Sequence, residues 1–263
     1  MVMGWFRRKA QRLPQGMADL HNHILPALDD GSESVEETLN MLQCYVDAGF
    51  STIVSTSHLN HPYFTDVTLE RILEGVERVK QLIQEHQIPL ELHAGAEIYY
   101  QGDFMDMIAD NRLLSLGSSS YMLIEFGVAD HMRHMKELAF ELSLKGVRPI
   151  LAHPERYQRL MAKPSLASEW RRAGWIFQLD LSSLLKQASK PSRKLAHTLL
   201  KNRMFELAAS DMHHPPVSAD TDLKKQLSLL IKQVGFEETE RLMVTNPNRI
   251  VKGGNVIVID DDD

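Results

Sequence analysis

The stretch Asp19–Gly31 reads DLHNHILPALDDG and carries two histidines and three carboxylates. Imidazole and carboxylate are ligands for divalent cations, and an H-x-H pair puts both rings on one side of an extended chain. One such pair cannot fill a coordination sphere, so its partners have to come from elsewhere in the chain. Candidates recur along it: His58 after STIVSTS, Glu97 after HAGA, Glu125 in YMLIEFG and His153 in PILAHPERY. Asp180 follows in QLDLSS, then Asp211 with His213 in LAASDMHH. A lone histidine at a strand end is more often a hydrogen-bonded loop residue. H-x-H first, D-x-H last and acids or histidines closing the runs between them is a pattern that chance rarely produces. The set holds no sulfur, which favours Mn²⁺, Fe or Zn²⁺, with Mg²⁺ as a further option. It is too long for one tetrahedral centre, so several ions sharing a bridging carboxylate are expected.

These residues need elements to bring them together. Apolar runs of strand length at 18–24, 52–55, 90–96, 121–126, 149–152, 175–181 and 205–209 alternate with stretches of helical period. Ser34-Val35-Glu36-Glu37 is a capping box, in which serine and glutamate satisfy each other's free amides. It opens a helix that stops at Gly49, and further helices fit 67–86, 131–144, 166–173, 192–202 and 220–233. Repeated strand–helix units with right-handed crossovers give an α/β fold with a parallel sheet. Seven units suggest a barrel one short of the usual eight, with an open doubly wound sheet as the alternative. No glycine-rich phosphate loop follows the first strand, which argues against a dinucleotide-binding form. In a parallel barrel the C-terminal strand ends form one rim, so residues from both halves of the chain become neighbours there.

Composition narrows the classes. The 263 residues are 43% hydrophobic and carry a net charge of -6, without the basic stripe of a nucleic-acid binder. The single cysteine, Cys44, falls inside the first helix and permits neither a disulfide framework nor a thiolate cage. Six positions on stands Phe50, where a cysteine-based phosphatase would need arginine. These features fit a reducing, cytoplasmic setting, and no apolar run reaches the length of a membrane span. Residues 1–17 read as a flexible basic arm, in which Trp5 and Phe6 beside Arg7, Arg8 and Lys9 are candidates for peripheral contact with anionic lipid. Residues 18–255 read as a single domain and 256–263 as an acidic tail. His61 and His214 read as rim residues, and His86, His93 and His197 as structural or solvated.

The motifs DLHNHILPALDDGSESVEET, TIVSTSH, GAEIYY, LIEF, AHPERY, ASDMH and NPNRI occur in order from Asp19 to Ile250. With them the sequence resembles the PHP (polymerase and histidinol phosphatase) superfamily. Within it, the chain resembles the metal-dependent bacterial protein-tyrosine phosphatases of capsule and exopolysaccharide systems, the CpsB/CapC type. The resemblance implies a distorted (β/α)7 TIM-like barrel holding three ions, commonly Mn²⁺. Position by position, it implies that His21, His23, Glu97 and Asp211 hold the first ion. Glu97 would bridge to a second held also by Glu125 and His153, and Asp30, His58 and His213 would hold the third. Gly31 would allow the turn, and Asp29 would support the site or lie exposed. Arg156 matches an arginine that contacts phosphate, where a planar guanidinium suits paired oxygens; the ordinary alternative is an ion pair with Glu155.

The implied chemistry is direct attack on phosphorus by a hydroxide bridging two ions, with no covalent enzyme intermediate. A tyrosine phenolate, with a parent pKa of about 10, is a fair leaving group, and no general acid is assigned. The implied partner is a phosphotyrosine protein, a membrane tyrosine autokinase that controls polysaccharide export. The chain departs from the pattern in its basic N-terminal extension, in Asn22, and in HHPPVSAD, where relatives often carry a second arginine. Three rival readings are a histidinol-phosphate-type small-molecule phosphatase, an amidohydrolase and a non-enzymatic metal-loaded kinase partner. Amidohydrolases also open with H-x-H, but they use a bridging lysine where Glu97 and Glu125 stand here.

Overall fold

Apolar runs flanked by amphipathic helices bury both faces of a sheet, and that favours parallel strands. The computed structural model describes residues 12–259, and all its strand pairs are parallel. Trp5 to Lys9 of the basic arm and the terminal Asp260 to Asp263 lie outside the described residues. The strands are β1 Met17–Asp19, β2 Phe50–Ser55, β3 His58–Leu59, β4 Glu91–Ala94, β5 Glu97–Tyr99, β6 Tyr121–Glu125, β7 Arg148–Ala152, β8 Ile176–Asp180 and β9 Leu207–Ala209. They run in the orders β1-β2-β4 and β3-β5-β6-β7-β8-β9. Two staves are broken: β2 and β3 flank Thr56-Ser57, and β4 and β5 flank Gly95-Ala96. The nine strands therefore form seven staves of a distorted (β/α)7 barrel.

The barrel closes at its C-terminal rim. Asn22 pairs with Met212. The His23 N–H donates to Met212 O at 2.9 Å and the Asp211 N–H to His21 O at 2.9 Å. The first strand was expected over 18–24 but stops at Asp19. The Asp19 carboxylate explains this, since it accepts from the His21 N–H at 2.8 Å and from the Ser210 N–H at 2.9 Å. His21 and His23 therefore follow the strand in an irregular segment, spaced by the Asn22 bridge.

The helices are α1 Val35–Ala48, α2 Leu69–Glu85, α3 Phe104–Ala109, α4 Met135–Leu144, α5 Gln158–Ala162, α6 Leu166–Arg172, α7 Lys190–Lys201, α8 Leu223–Val234, α9 Phe236–Glu240 and α10 Asn246–Val251. Ser34 caps α1 by accepting from the Glu37 N–H at 3.2 Å. Glu37 reaches one residue further than a capping box requires, to the Glu33 N–H at 2.7 Å. Helix α4 starts later than expected because Met132 adopts φ 44°. Helices α3, α5, α9 and α10 were not anticipated. The stretch assigned to the acidic tail begins packed against the barrel. The Val256 N–H donates to Tyr121 Oη at 3.1 Å and the Ile257 N–H to Asn246 Oδ1 at 2.7 Å. Among the described residues no helix is long and apolar enough to cross a membrane.

Leu20, Val54, Leu123, Ile150 and Leu207 fill the barrel interior as one apolar cluster. Burying such side chains contributes roughly 1.5–3 kcal/mol each. With the interior filled, polar side chains at the strand ends are left to line the mouth. Gly95 stands at one stave break, where a Cβ would lie 2.7 Å from Val54 Cγ1 and 3.1 Å from Ser55 O. Overpacking of this kind costs about 1–3 kcal/mol. Gly95→Ala is expected to lower stability by that amount, read from the midpoint of urea unfolding.

Candidate metal centre

The turn after β1 builds half of the mouth. His21 and His23 are fully buried. The His21 Nδ1–H points outward to Gln178 Oε1 at 2.8 Å, and the His23 Nδ1–H to Asp29 Oδ2 at 2.9 Å. Each ring thereby turns its Nε2 into the barrel. The Asp29 side chain is buried, and it also accepts from the His58 N–H at 2.9 Å and the Gly31 N–H at 3.0 Å. Burial opposes its charge, but His23 and His58 overcome that and hold it below the usual carboxylate range. Gly31 does not adopt a positive φ. It is needed because a Cβ there would lie 2.1 Å from His23 O.

The other staves deliver the rest. Glu97 opens β5, Glu125 ends β6, His153 follows β7, and Asp211 with His213 follows β9. The Glu97 Oε2 lies 3.2 Å from His21 Nε2, 3.5 Å from His23 Nε2 and 3.3 Å from His58 Nδ1, and its Oε1 lies 2.9 Å from His153 Nε2. Asp211 Oδ1 faces His21 Nε2 at 3.1 Å. Asp30, half-exposed at the rim, stands 3.4 Å from His58 Nε2 and 3.5 Å from His213 Nε2.

Four sets of candidate ligand atoms lie within 4.8 Å of one another: His21, His23, Glu97 and Asp211; Glu97, Glu125 and His153; His23, Asp30, His58 and His213; and His58, His61 and Glu125. The first two sets gather the residues that the resemblance groups, and the third adds His23 to its trio. His61, read from sequence only as a rim residue, joins the fourth.

The donor set suits cations. His21 Nε2, His23 Nε2, His58 Nδ1, Glu125 Oε2 and Asp211 Oδ1 are buried with no hydrogen-bond partner among the described residues. An orphaned buried polar atom costs about 1–3 kcal/mol, so five around one mouth call for a ligand that binds lone pairs. Burial would push His21 down, yet Glu97 and Asp211 outweigh it and hold the ring up at about 9. Burial, reinforced by Glu97, pushes Glu125 up to about 9. Burial, then the neighbouring His58, pushes His61 down to about 4.

Arg156 sits in the short 3-10 turn Pro154–Arg156. It pairs with Asp180 Oδ2 and Asp211 Oδ2, both at 2.6 Å from Nη2, and not with Glu155. Glu155 is buried, accepts from the Asp180 N–H at 2.9 Å, and is pushed up to about 8 by burial and by Asp180. His214 bonds Glu37 at 2.9 Å and ties the last loop to α1. Sequence reasoning missed the roles of Asp19 and Gln178. The available signal was a buried-type strand, IFQLD, interrupted by glutamine.

A parallel barrel whose mouth gathers imidazoles and carboxylates around orphaned ligand atoms defines the class of metal-dependent hydrolase barrels. The chain belongs to the CpsB/CapC family of capsular polysaccharide synthesis, whose profile matches residues 17–252. It is 30% identical over 221 residues to the tyrosine-protein phosphatase YwqE of Bacillus subtilis, covering 84% of this chain and 86% of that one. It is 30% identical over 244 residues to the tyrosine-protein phosphatase CpsB of Streptococcus pneumoniae, covering 89% and 98%. A solved structure from the pair YwqE of Bacillus subtilis and CpsB of Streptococcus pneumoniae, metal-dependent tyrosine phosphatases, matches with TM-score 0.82 at 28% identity over 92% of this chain and 96% of that chain. Histidinol phosphate phosphatase from Lactococcus lactis, with zinc, L-histidinol and phosphate, shares the fold at TM-score 0.54 and 14% identity, covering 85% and 95%.

The contact at Gly31 gives a test of how the mouth is held. Gly31→Ala should displace the His23 backbone, costing about 1–3 kcal/mol in urea unfolding. Divalent metal bound per chain, measured by elemental analysis, should fall below the wild-type value.

Proposed function

We propose that the protein is a Mn²⁺-dependent phosphotyrosine-protein phosphatase, acting in the cytoplasm on a membrane tyrosine autokinase of capsular or extracellular polysaccharide synthesis. The observation that carries this reading is the Glu97 carboxylate, shared by two of the four ligand-atom sets. In this reading His21, His23, Glu97 and Asp211 hold one ion, Glu97, Glu125 and His153 a second, and Asp30, His58 and His213 a third. The same donors also accommodate Fe, Zn²⁺ or Mg²⁺. When bound, such ions supply Lewis acidity and lower the pKa of a coordinated water from 15.7 toward about 7.

The chain's own residues do the rest. Gln178 and Asp29 fix the tautomers of His21 and His23, so that the lone pairs point inward. Arg156 is anchored through Nη2 by two carboxylates, which leaves Nη1 and Nε uncommitted among the described residues. A planar, pre-positioned guanidinium suits two phosphoryl oxygens at once. The phenolic oxygen of tyrosine leaves without needing a strong acid, its parent pKa being about 10. A groove of about 530 Å³ begins at His61 and Asn60 beside the mouth. It offers room for peptide beyond the phosphotyrosine itself, which favours a protein over histidinol phosphate.

Chelation is expected to abolish turnover of a phosphotyrosine peptide, and added Mn²⁺ to restore it. Full-rate hydrolysis by metal-free protein would overturn the reading. His21→Ala should remove turnover by at least about a hundredfold and lower bound Mn²⁺, while far-ultraviolet circular dichroism stays unchanged. Faster turnover of histidinol phosphate than of the peptide would transfer the assignment to small-molecule hydrolysis.

A further inference from the structure

His61 presents a feature that the ligand sets alone do not distinguish. Its Nδ1 accepts a hydrogen bond from the Tyr63 backbone N–H at 3.2 Å. An accepting ring nitrogen carries no proton, so the neutral ring holds its proton on Nε2. That nitrogen faces the mouth, 4.0 Å from Glu125 Oε2, on a side chain only 11% exposed. A protonated Nε2 has no lone pair for a cation. His61 is therefore set up as a donor, unlike His21 and His23, whose Nδ1–H groups point outward and leave Nε2 bare.

The loop holding it is well defined. Asn60 adopts φ 59°, and its side-chain amide donates to Tyr99 O at 3.2 Å. Gln101 Nε2 donates back to Asn60 O at 2.9 Å. The His61 ring packs 4.9 Å from Phe64 and edge-on to Tyr99 at 4.9 Å. His61 stands where the ligand-rich mouth meets the groove lined by Asn60, Phe64, Gln101 and Asp103.

We infer that His61 is a catalytic residue whose Nε2–H hydrogen-bonds the ester oxygen as it leaves. This rests on the phosphatase reading above. A substrate with its phosphoryl group in the mouth and its body in the groove has its ester oxygen at that junction. Hydrolysis forms a P–O bond to water and breaks the P–O bond to the phenol, and the electron pair departs on the phenolic oxygen. His61 stabilises that charge by donating a hydrogen bond and keeps its proton. The departing phenolate takes a proton from solvent, and the attacking water gives up its own. A neutral imidazole can serve as such an electrophile.

The test compares wild type, His61→Ala and His61→Gln, all loaded with Mn²⁺, on aryl phosphates of graded leaving-group acidity and on a phosphotyrosine peptide. Loss of one donor to a developing oxyanion costs about 10²–10³-fold where water is excluded; at this partly open position His61→Ala should lose about tenfold on phenyl phosphate and the peptide. The loss should shrink toward none for nitro-substituted phenols. His61→Gln, which retains an N–H, should recover part of it. Bound Mn²⁺ per chain should be unchanged in both variants. Long-range proton–nitrogen NMR of Zn²⁺-loaded protein should find the proton of His61 on Nε2. A loss equal across the series, no loss at all, a fall in bound metal or a proton on Nδ1 would each overturn the assignment. If wild type hydrolyses none of these esters, the phosphatase reading itself fails, while the NMR result still reports the tautomer.

Discussion

A buried carboxylate ringed by four imidazoles sets the terms for the rest of this structure. Glu97 is 1% exposed and meets His21, His23, His58 and His153 within 3.5 Å. Burying a charge is expensive unless it is paired. The imidazoles oppose that cost and hold Glu97 ionised, well below its usual range, despite burial. The same carboxylate works against Glu125, which burial already disfavours. The protein groups alone thus disfavour ionised Glu125, and a divalent cation at the mouth would favour it. The architecture serves the same end: the stave breaks at Gly95-Ala96, so that Glu97 begins a new strand at the rim.

Closure of the barrel and assembly of the mouth are one event. The hydrogen bonds that join the first and last staves link His21 to Asp211 and His23 to Met212. Asp19 adds a carboxylate that takes amides from both sides of the same seam. Two residues at the mouth sit in the left-handed region, His153 at φ 33° and Asp211 at φ 49°. Sparsely populated backbone conformations of this kind cost about 1–3 kcal/mol each and persist where the surroundings over-determine them. Here the Asp211 N–H is held by His21 O, and the turn after His153 by the bond from the Arg156 N–H to His153 O at 2.9 Å.

What was legible in the sequence follows from this geometry. His58, Glu97, Glu125 and Asp211 interrupt or end apolar runs, and the contrast of residue type with neighbours needs no three-dimensional information. Helix α1, with its cap at Ser34, was legible for the same local reason. Asp19 and Gln178 were not, because their partners lie far along the chain: Ser210 for one and His21 for the other. The breaks after Ser55 and Ala94 were not anticipated, although Gly95 stands at the second. Gly31 stood out as a turn residue, but its need is the close approach of the His23 backbone, which only the folded chain creates. The tautomer of His61 depends on one backbone amide two residues away, and residue type alone carries no trace of it.

Arg156 shows how a single cation is used in an acidic setting. The chain carries a net charge of -6, and the loop 213–220, HHPPVSAD, contains no arginine. Among the described residues Arg156 draws two aspartates onto one nitrogen, Asp180 and Asp211. Asp180 is in turn held by the Ser182 N–H at 2.7 Å and the Ser182 hydroxyl at 2.7 Å. The guanidinium plane is thus fixed before any anion arrives, and less rotamer entropy is lost on binding one. Asp211 divides its two oxygens between this anchor and His21. The group that would meet a phosphoryl oxygen and the residues that would hold an ion are therefore mechanically one unit. Glu70, Asp103 and Asp110 line the groove beyond, with Arg112 alone opposing them. Like charge there would disfavour an acidic segment laid along the groove.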